Sequence, residues 1–189
     1  MREQERLRAF LAFEVSDEVK GNLTKVEEEV RETRADVKVV EKENLHFTIK
    51  FLGEIPESAV SEIDRRVRAV PLHRMEVSVR GLGAFPDSRR PRVVWAGVAR
   101  GDLPGFAEAG RRVIEATEGV GESDERDYHP HITLARVRSP RNQEALTALI
   151  RECSGREFGR TPITSLKLKS STLTPRGPTY RDVSVYELQ

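Results

Sequence analysis

Apolar and polar residues alternate over residues 8–15, which puts Ala9, Leu11, Phe13 and Val15 on one face of a predicted strand. Ser16 follows as an N-cap, and Val19, Leu23, Val26 and Val30 recur at helical spacing behind it. Residues 45–52 alternate again, with Leu45, Phe47, Ile49 and Phe51 predicted on the core face. Pro56 opens a second helix with the stripe Val60, Ile63, Val67 and Val70, and residues 75–79 read as a short strand. The second half repeats the order. Residues 92–99 form a strand, a helix runs from Pro104 to about Glu118, and residues 131–137 form another strand. Ser139 and Pro140 cap a helix carrying Leu146, Leu149, Ile150 and Cys153, and strands follow over 163–169 and 180–188. Residues 85–91 and 119–127 read as exposed loops.

Corresponding elements start at offsets of 84 (8 to 92), 85 (46 to 131) and 84 (56 to 140), the signature of an internal duplication. Two copies are too few for a solenoid. The pattern predicts an α+β fold with two pseudo-symmetric lobes, each with an antiparallel sheet and helices, and a cleft between them. No Pro-, Gly- or Ser-rich linker separates the copies, so residues 1–189 are expected to form one bilobal domain with halves at about 8–81 and 92–188.

Charge narrows the partners. The 32 basic and 31 acidic side chains nearly cancel, so the chain is neither a basic coat for long nucleic acid nor an acidic tail. Any nucleic-acid contact should be local. Cys153 is the single cysteine and has no internal partner, which fits a reducing compartment; with no apolar run of membrane length and no signal-peptide core, a cytoplasmic protein without membrane contact is expected.

The candidate chemistry lies in the two equivalent strands, which carry His46-Phe47-Thr48-Ile49 and His131-Ile132-Thr133-Leu134. Strand side chains alternate, so each histidine shares a face with the threonine two residues on, while Phe47 and Ile132 point into the core. Two imidazoles suit phosphodiester cleavage, which needs a base on the attacking side of phosphorus and an acid on the leaving side. The hydroxyls supply donors where charge develops on phosphate. A lone His-x-Thr is commonplace in strands; two in repeat register are not. Zinc binding is the competing chemistry, but no Cys-x-x-Cys or His-x-x-x-His spacing supports it and threonine is a poor ligand, so no metal or cofactor is expected. The residues alone leave open which histidine is acid and which is base.

Several further residues are candidates. Arg136 has the wrong parity to share the His131 face unless a bulge follows Leu134. Phe10 either stacks a terminal base or packs in the cleft wall. His129 shares the parity of His131 and orients or flanks the site. His73 and the run Arg89-Arg90-Pro91-Arg92 read as solvated loop positions, although the arginines could steer an RNA backbone. Lys50 reads as a solvated strand-end lysine, or one that reaches a phosphate.

With these motifs in view, residues 44–53 (NLHFTIKFLG) and 130–136 (PHITLAR) resemble the paired signatures of the two-histidine phosphoesterases. Among them the chain is similar to the RNA 2′,3′-cyclic phosphodiesterases, also known as 2′-5′ RNA ligases. The resemblance extends to Arg8-Ala9-Phe10, Gly83-Ala84-Phe85-Pro86, Arg92-Val93-Val94-Trp95, Ser171-Thr172-Leu173 and Gly177-Pro178-Thr179-Tyr180. It implies metal-independent opening of a terminal 2′,3′-cyclic phosphate to a 2′-phosphate, on RNA ends that include tRNA fragments, with no protein partner. It also implies His46 as proton donor to O3′, His131 as the base, and Thr48, Thr133, Arg136 and Phe10 as substrate contacts. Other readings are a relative acting on different small phosphoesters, RNA end joining by the reverse reaction, and a non-catalytic RNA-end or nucleotide-binding module. Two proton-transfer groups are more than a binder needs.

Overall fold

The computed structural model describes residues 6–122, 127–175 and 177–189. Part of the loop expected at 119–127 therefore lies outside the described residues. The alternating segments become strands β1 (Arg6–Glu14), β2 (Val37–Val39), β3 (His46–Pro56), β4 (Met75–Phe85), β5 (Val93–Val98), β6 (Ile132–Val137), β7 (Glu157–Ile163), β8 (Ser165–Thr174) and β9 (Gly177–Glu187). The helical stripes become α1 (Asp17–Glu32), α2 (Val60–Arg68), α3 (Leu103–Ala116) and α4 (Gln143–Glu152). Ser16 caps α1 by accepting a hydrogen bond from the Val19 amide, and Val19, Leu23, Val26 and Val30 are buried as their spacing requires. α4 starts later than expected. Asn142, with φ 52°, precedes it, and its side-chain amide donates to the Arg34 carbonyl across the fold.

The strands form one antiparallel sheet in the order β7-β4-β5-β6-β3-β1-β8-β9, with β2 paired to β6. The order is symmetric about the β6–β3 junction: β6 corresponds to β3, β5 to β1, β4 to β8 and β7 to β9. The bilobal α+β architecture is thus present, with the two lobes' sheets fused through a single ladder pair, Phe47 with Ile132. The halves of the sequence are not the lobes, however. β4 from the first half pairs with β5 and β7, whereas β8 from the second half pairs with β1. Helices cross over as well: α1 packs on β6, β7 and α4, while α3 packs chiefly on β3, with α2 and β4 beside it. A repeat offset tells which elements are equivalent, not which neighbours they choose.

Two equivalent bulges set the faces of the central strands beside the site, and β3 has a further one at Leu52. Lys50 pairs with Leu11 and Thr48 with Ala12, leaving Ile49 as an extra residue in β3. Ala135 pairs with Val94 and Thr133 with Trp95, leaving Leu134 extra in β6. Residues 49 and 134 are themselves repeat equivalents. After each bulge the alternation inverts, so Lys50 and Ala135 turn inward. Phe51, expected in the core, instead emerges on the opposite face with 52% of its surface exposed.

Candidate active site

The Phe47–Ile132 pair sits at the centre of the site. Both side chains are fully buried under the helices. Antiparallel register about that pair sets His46 opposite Thr133 and Thr48 opposite His131, all four projecting from the other face. The histidines are then diagonal neighbours, roughly 7–8 Å apart along the backbone. Two imidazoles and two hydroxyls therefore occupy the corners of one square, on adjacent strands rather than on separate facing sheets.

Each ring is held in the same way. His46 Nδ1 donates to the Asn44 carbonyl at 2.6 Å and His131 Nδ1 donates to the His129 carbonyl at 2.7 Å. A carbonyl only accepts, so Nδ1 carries the proton in both rings and Nε2 is the working nitrogen. The surroundings differ. His46 stacks on Phe10 at 5.0 Å and meets the edge of Tyr180 at 5.5 Å, and its neutral Nε2 accepts from the Thr48 hydroxyl at 2.9 Å. His131 meets Phe85 edge-on at 4.9 Å, with Trp95 at 6.3 Å and His129 at 6.2 Å. The Trp95 ring lies flat across Gly83, where a Cβ would come within 2.3 Å of it. That contact explains the glycine in the Gly83-Ala84-Phe85-Pro86 turn.

Electrostatics separates the two rings further. Burial pushes His46 down to about 4, partly opposed by the bond to Asn44, with Lys169 adding repulsion. Burial also lowers His131, and the charges of His129 and Arg136 push the same way. Beside His46, Glu14 and Asp182 bind Lys20, Lys167 and Lys169 in a network across α1, β1, β8 and β9. Among the described residues no cluster of three His, Cys, Asp or Glu side chains could hold a metal ion, and no helix is long and apolar enough to cross a membrane.

The remaining candidates fall into place residue by residue. Arg136 gains the face of His131 through the Leu134 bulge and is exposed there. Phe10 is only 3% exposed, so its ring supports His46 instead of offering a face to a base. His129 orients His131 through its carbonyl. Lys50 is neither solvated nor near the site: it is buried, and its Nζ donates to the Thr117 carbonyl at 2.6 Å, at the negative end of α3. His73 lies exposed between α2 and β4. The arginine run forms a turn in which Asp87 accepts from the Arg89 and Arg90 amides, pinned to α4 by Thr147. What sequence reasoning missed is that Phe51, the repeat equivalent of Arg136, stands exposed on the site face near Phe10. The offset of 85 was the signal for it.

A family model described as LigT like Phosphoesterase matches residues 13–95 and 106–180. The chain is 38% identical over 185 residues to the RNA 2′,3′-cyclic phosphodiesterase of Methanothermobacter thermautotrophicus, covering 97% of this chain and 100% of that protein. It is 32% identical over 186 residues to the enzyme of the same name from Aquifex aeolicus, covering 96% and 97%. Among solved structures, a Thermus thermophilus protein superposes with a TM-score of 0.74 at 30% identity, over 96% of this chain and 98% of that one. E. coli LigT in its apo form superposes with a TM-score of 0.78 at 21% identity, over 97% and 98%, a likeness of fold alone.

Proposed function

The chain belongs to the LigT-like phosphoesterase family, and on that premise we propose that it hydrolyses 2′,3′-cyclic phosphate ends of RNA to 2′-phosphates. The observation that carries the reading is the square of His46, Thr48, His131 and Thr133 around the Phe47–Ile132 pair. Curated relatives similar over nearly the whole chain and named for this activity support it.

In the proposed reaction the cyclic phosphate sits over the square, with its non-bridging oxygens on the threonine hydroxyls and the Arg136 guanidinium. His131 Nε2 takes a proton from water as the water oxygen bonds to phosphorus. The P–O3′ bond breaks, and His46 Nε2 gives its proton to O3′. The products are a 3′-hydroxyl and a 2′-phosphate monoester, and each imidazole exchanges its proton with solvent to reset. Phe51, exposed beside the square, offers the ring on which the terminal base stacks.

His46 must begin charged to act as the acid, yet its protein surroundings hold it well below its ordinary value. The substrate supplies the remedy, because a phosphodiester anion beside an imidazolium raises its pKa. The deeper depression of His46 favours a second reading in which the two roles are exchanged.

The test is product analysis with RNA ending in a 2′,3′-cyclic phosphate, in excess chelator. Release of a 2′-phosphate at an undiminished rate is expected. A 3′-phosphate product, or turnover that needs added zinc or magnesium, would overturn the proposal.

A further inference from the structure

Resting on that reading, we propose that Lys38 and Arg136 form a second anion subsite that takes the internucleotide phosphate on the 5′ side of the terminal nucleotide. The enzyme would then favour oligonucleotide ends over cyclic mononucleotides.

Lys38 on β2 pairs directly with Arg136 on β6. Directly opposed residues project from the same face of a sheet, and Arg136 stands on the His131 face because of the Leu134 bulge. Val37 and Val39, the neighbours of Lys38, pack on the core side. Like charges directly opposite each other destabilise a sheet unless something lies between them. Among the described residues no carboxylate does. None of the ion pairs formed among the described residues includes Lys38 or Arg136.

The cations do not simply point into solvent. The β8–β9 hairpin curls back over this end of the face, where the Asn44 side-chain amide donates to the Pro178 carbonyl at 3.0 Å. The Lys38 ammonium reaches the same hairpin, so that a Cβ at Gly177, φ 142°, would lie 3.4 Å from its Nζ. Arg136 is close enough for its charge to act on both His131 and Tyr180, and Arg8 adds to the field at Tyr180. The subsite therefore opens directly off the catalytic square, on the side away from Phe51. A strand whose terminal base stacks on Phe51 would leave the square toward Lys38. A phosphate there meets the Lys38 ammonium and the N–H groups of Arg136 that the cyclic phosphate leaves free, so that Arg136 bridges the two anions while Lys38 serves the internucleotide phosphate alone.

The experiment compares three substrates: adenosine 2′,3′-cyclic phosphate, the diadenosine cyclic phosphate with its natural linkage, and the same dinucleotide with an uncharged methylphosphonate linkage. The parent enzyme should favour the charged dinucleotide over both others by about tenfold in kcat/KM, as one charge-assisted contact allows. Lys38→Gln should abolish most of that preference and lower the salt slope for the charged dinucleotide by about one. Calorimetric binding of diadenosine 2′-phosphate against adenosine 2′-phosphate reads the subsite without turnover. Tighter dinucleotide binding that is lost in Lys38→Gln supports the subsite even if the catalytic reading fails. Equal kcat/KM and equal binding for the charged and uncharged linkages, or an equal loss on all three substrates in Lys38→Gln, overturns it while leaving cyclic-phosphate hydrolysis intact.

Discussion

The two sides of the junction share a plan and differ in execution. On both, a strand places His-x-Thr before a bulge, a carbonyl two residues back fixes the Nδ1 proton, and the residue after the inverted alternation stands beside the chemistry. On the β3 side the ring is partly buried against Phe10 and Tyr180, already hydrogen-bonded to its own threonine, and followed by Phe51. On the β6 side the ring is more open, lies among Phe85, Trp95 and His129, and is followed by Arg136. Duplication supplied a symmetric scaffold. The reaction it serves is not symmetric: one partner is a nucleoside and the other is water. The aromatic residue on one side and the cation on the other match that difference.

The largest expected effect is on the shared plan. His46→Ala and His131→Ala should each lower kcat by at least ~10²-fold, and the double variant should lose far less than the product of the two. Steady-state kinetics with melting curves would check this, and a fully active single variant at either position would dissolve the pair. Thr48→Val and Thr133→Val come next. Valine keeps the strand shape and deletes one donor, with an expected loss of roughly 2.7–4 kcal/mol in kcat at most. Because Thr48 also binds the resting His46, its loss should disturb the pH profile more than loss of Thr133 does.

The equivalent pair Phe51 and Arg136 separates the sides more sharply. Phe51→Ala should raise KM for nucleotide substrates by about tenfold, with little effect on a ribose cyclic phosphate that lacks a base. Arg136→Gln should weaken both substrates alike. The same loss from both variants on both substrates would mean that the sides are not specialised.

The smallest effect is a displacement in pH. Both imidazoles titrate below their ordinary value in the free enzyme, so kcat/KM should peak on the acid side of about 6.5. Bound phosphate raises both, so kcat should peak at higher pH than kcat/KM. The contribution of His46 to stability should be lost as pH drops from about 6.5 towards about 4, because the unfolded chain takes up a proton that His46 in the fold refuses. Thermal melts of His46→Gln should be flatter across that window.

Much of this was legible in the residues. The alternation before Ser16 and the stripe behind it specify β1 and α1, and the offset of 85 pairs the two histidine strands. What was hidden depends on partners far along the chain. A bulge is decided by the neighbouring strand, so nothing in residues 45–52 shows that Ile49 is extra or that Phe51 turns outward. β7 contains Gly159 and Pro162, which interrupt any alternating signal; it is an edge strand, where a missing amide can face solvent. β2 has three residues, too few for a periodic signal, so nothing local marks Lys38 as a sheet residue. The exchange of β4 and β8 between lobes is a choice between two equivalent sheets that local pattern does not encode.

Replacing O3′ of the cyclic phosphate by sulfur tests the assignment of the two histidines most directly. A thiolate leaves without help from an acid, so the substrate should restore most activity to His46→Ala and little to His131→Ala. The opposite pattern would exchange the two roles. Rescue of neither variant, with a flat pH profile in the parent enzyme, would contradict acid–base catalysis by this pair.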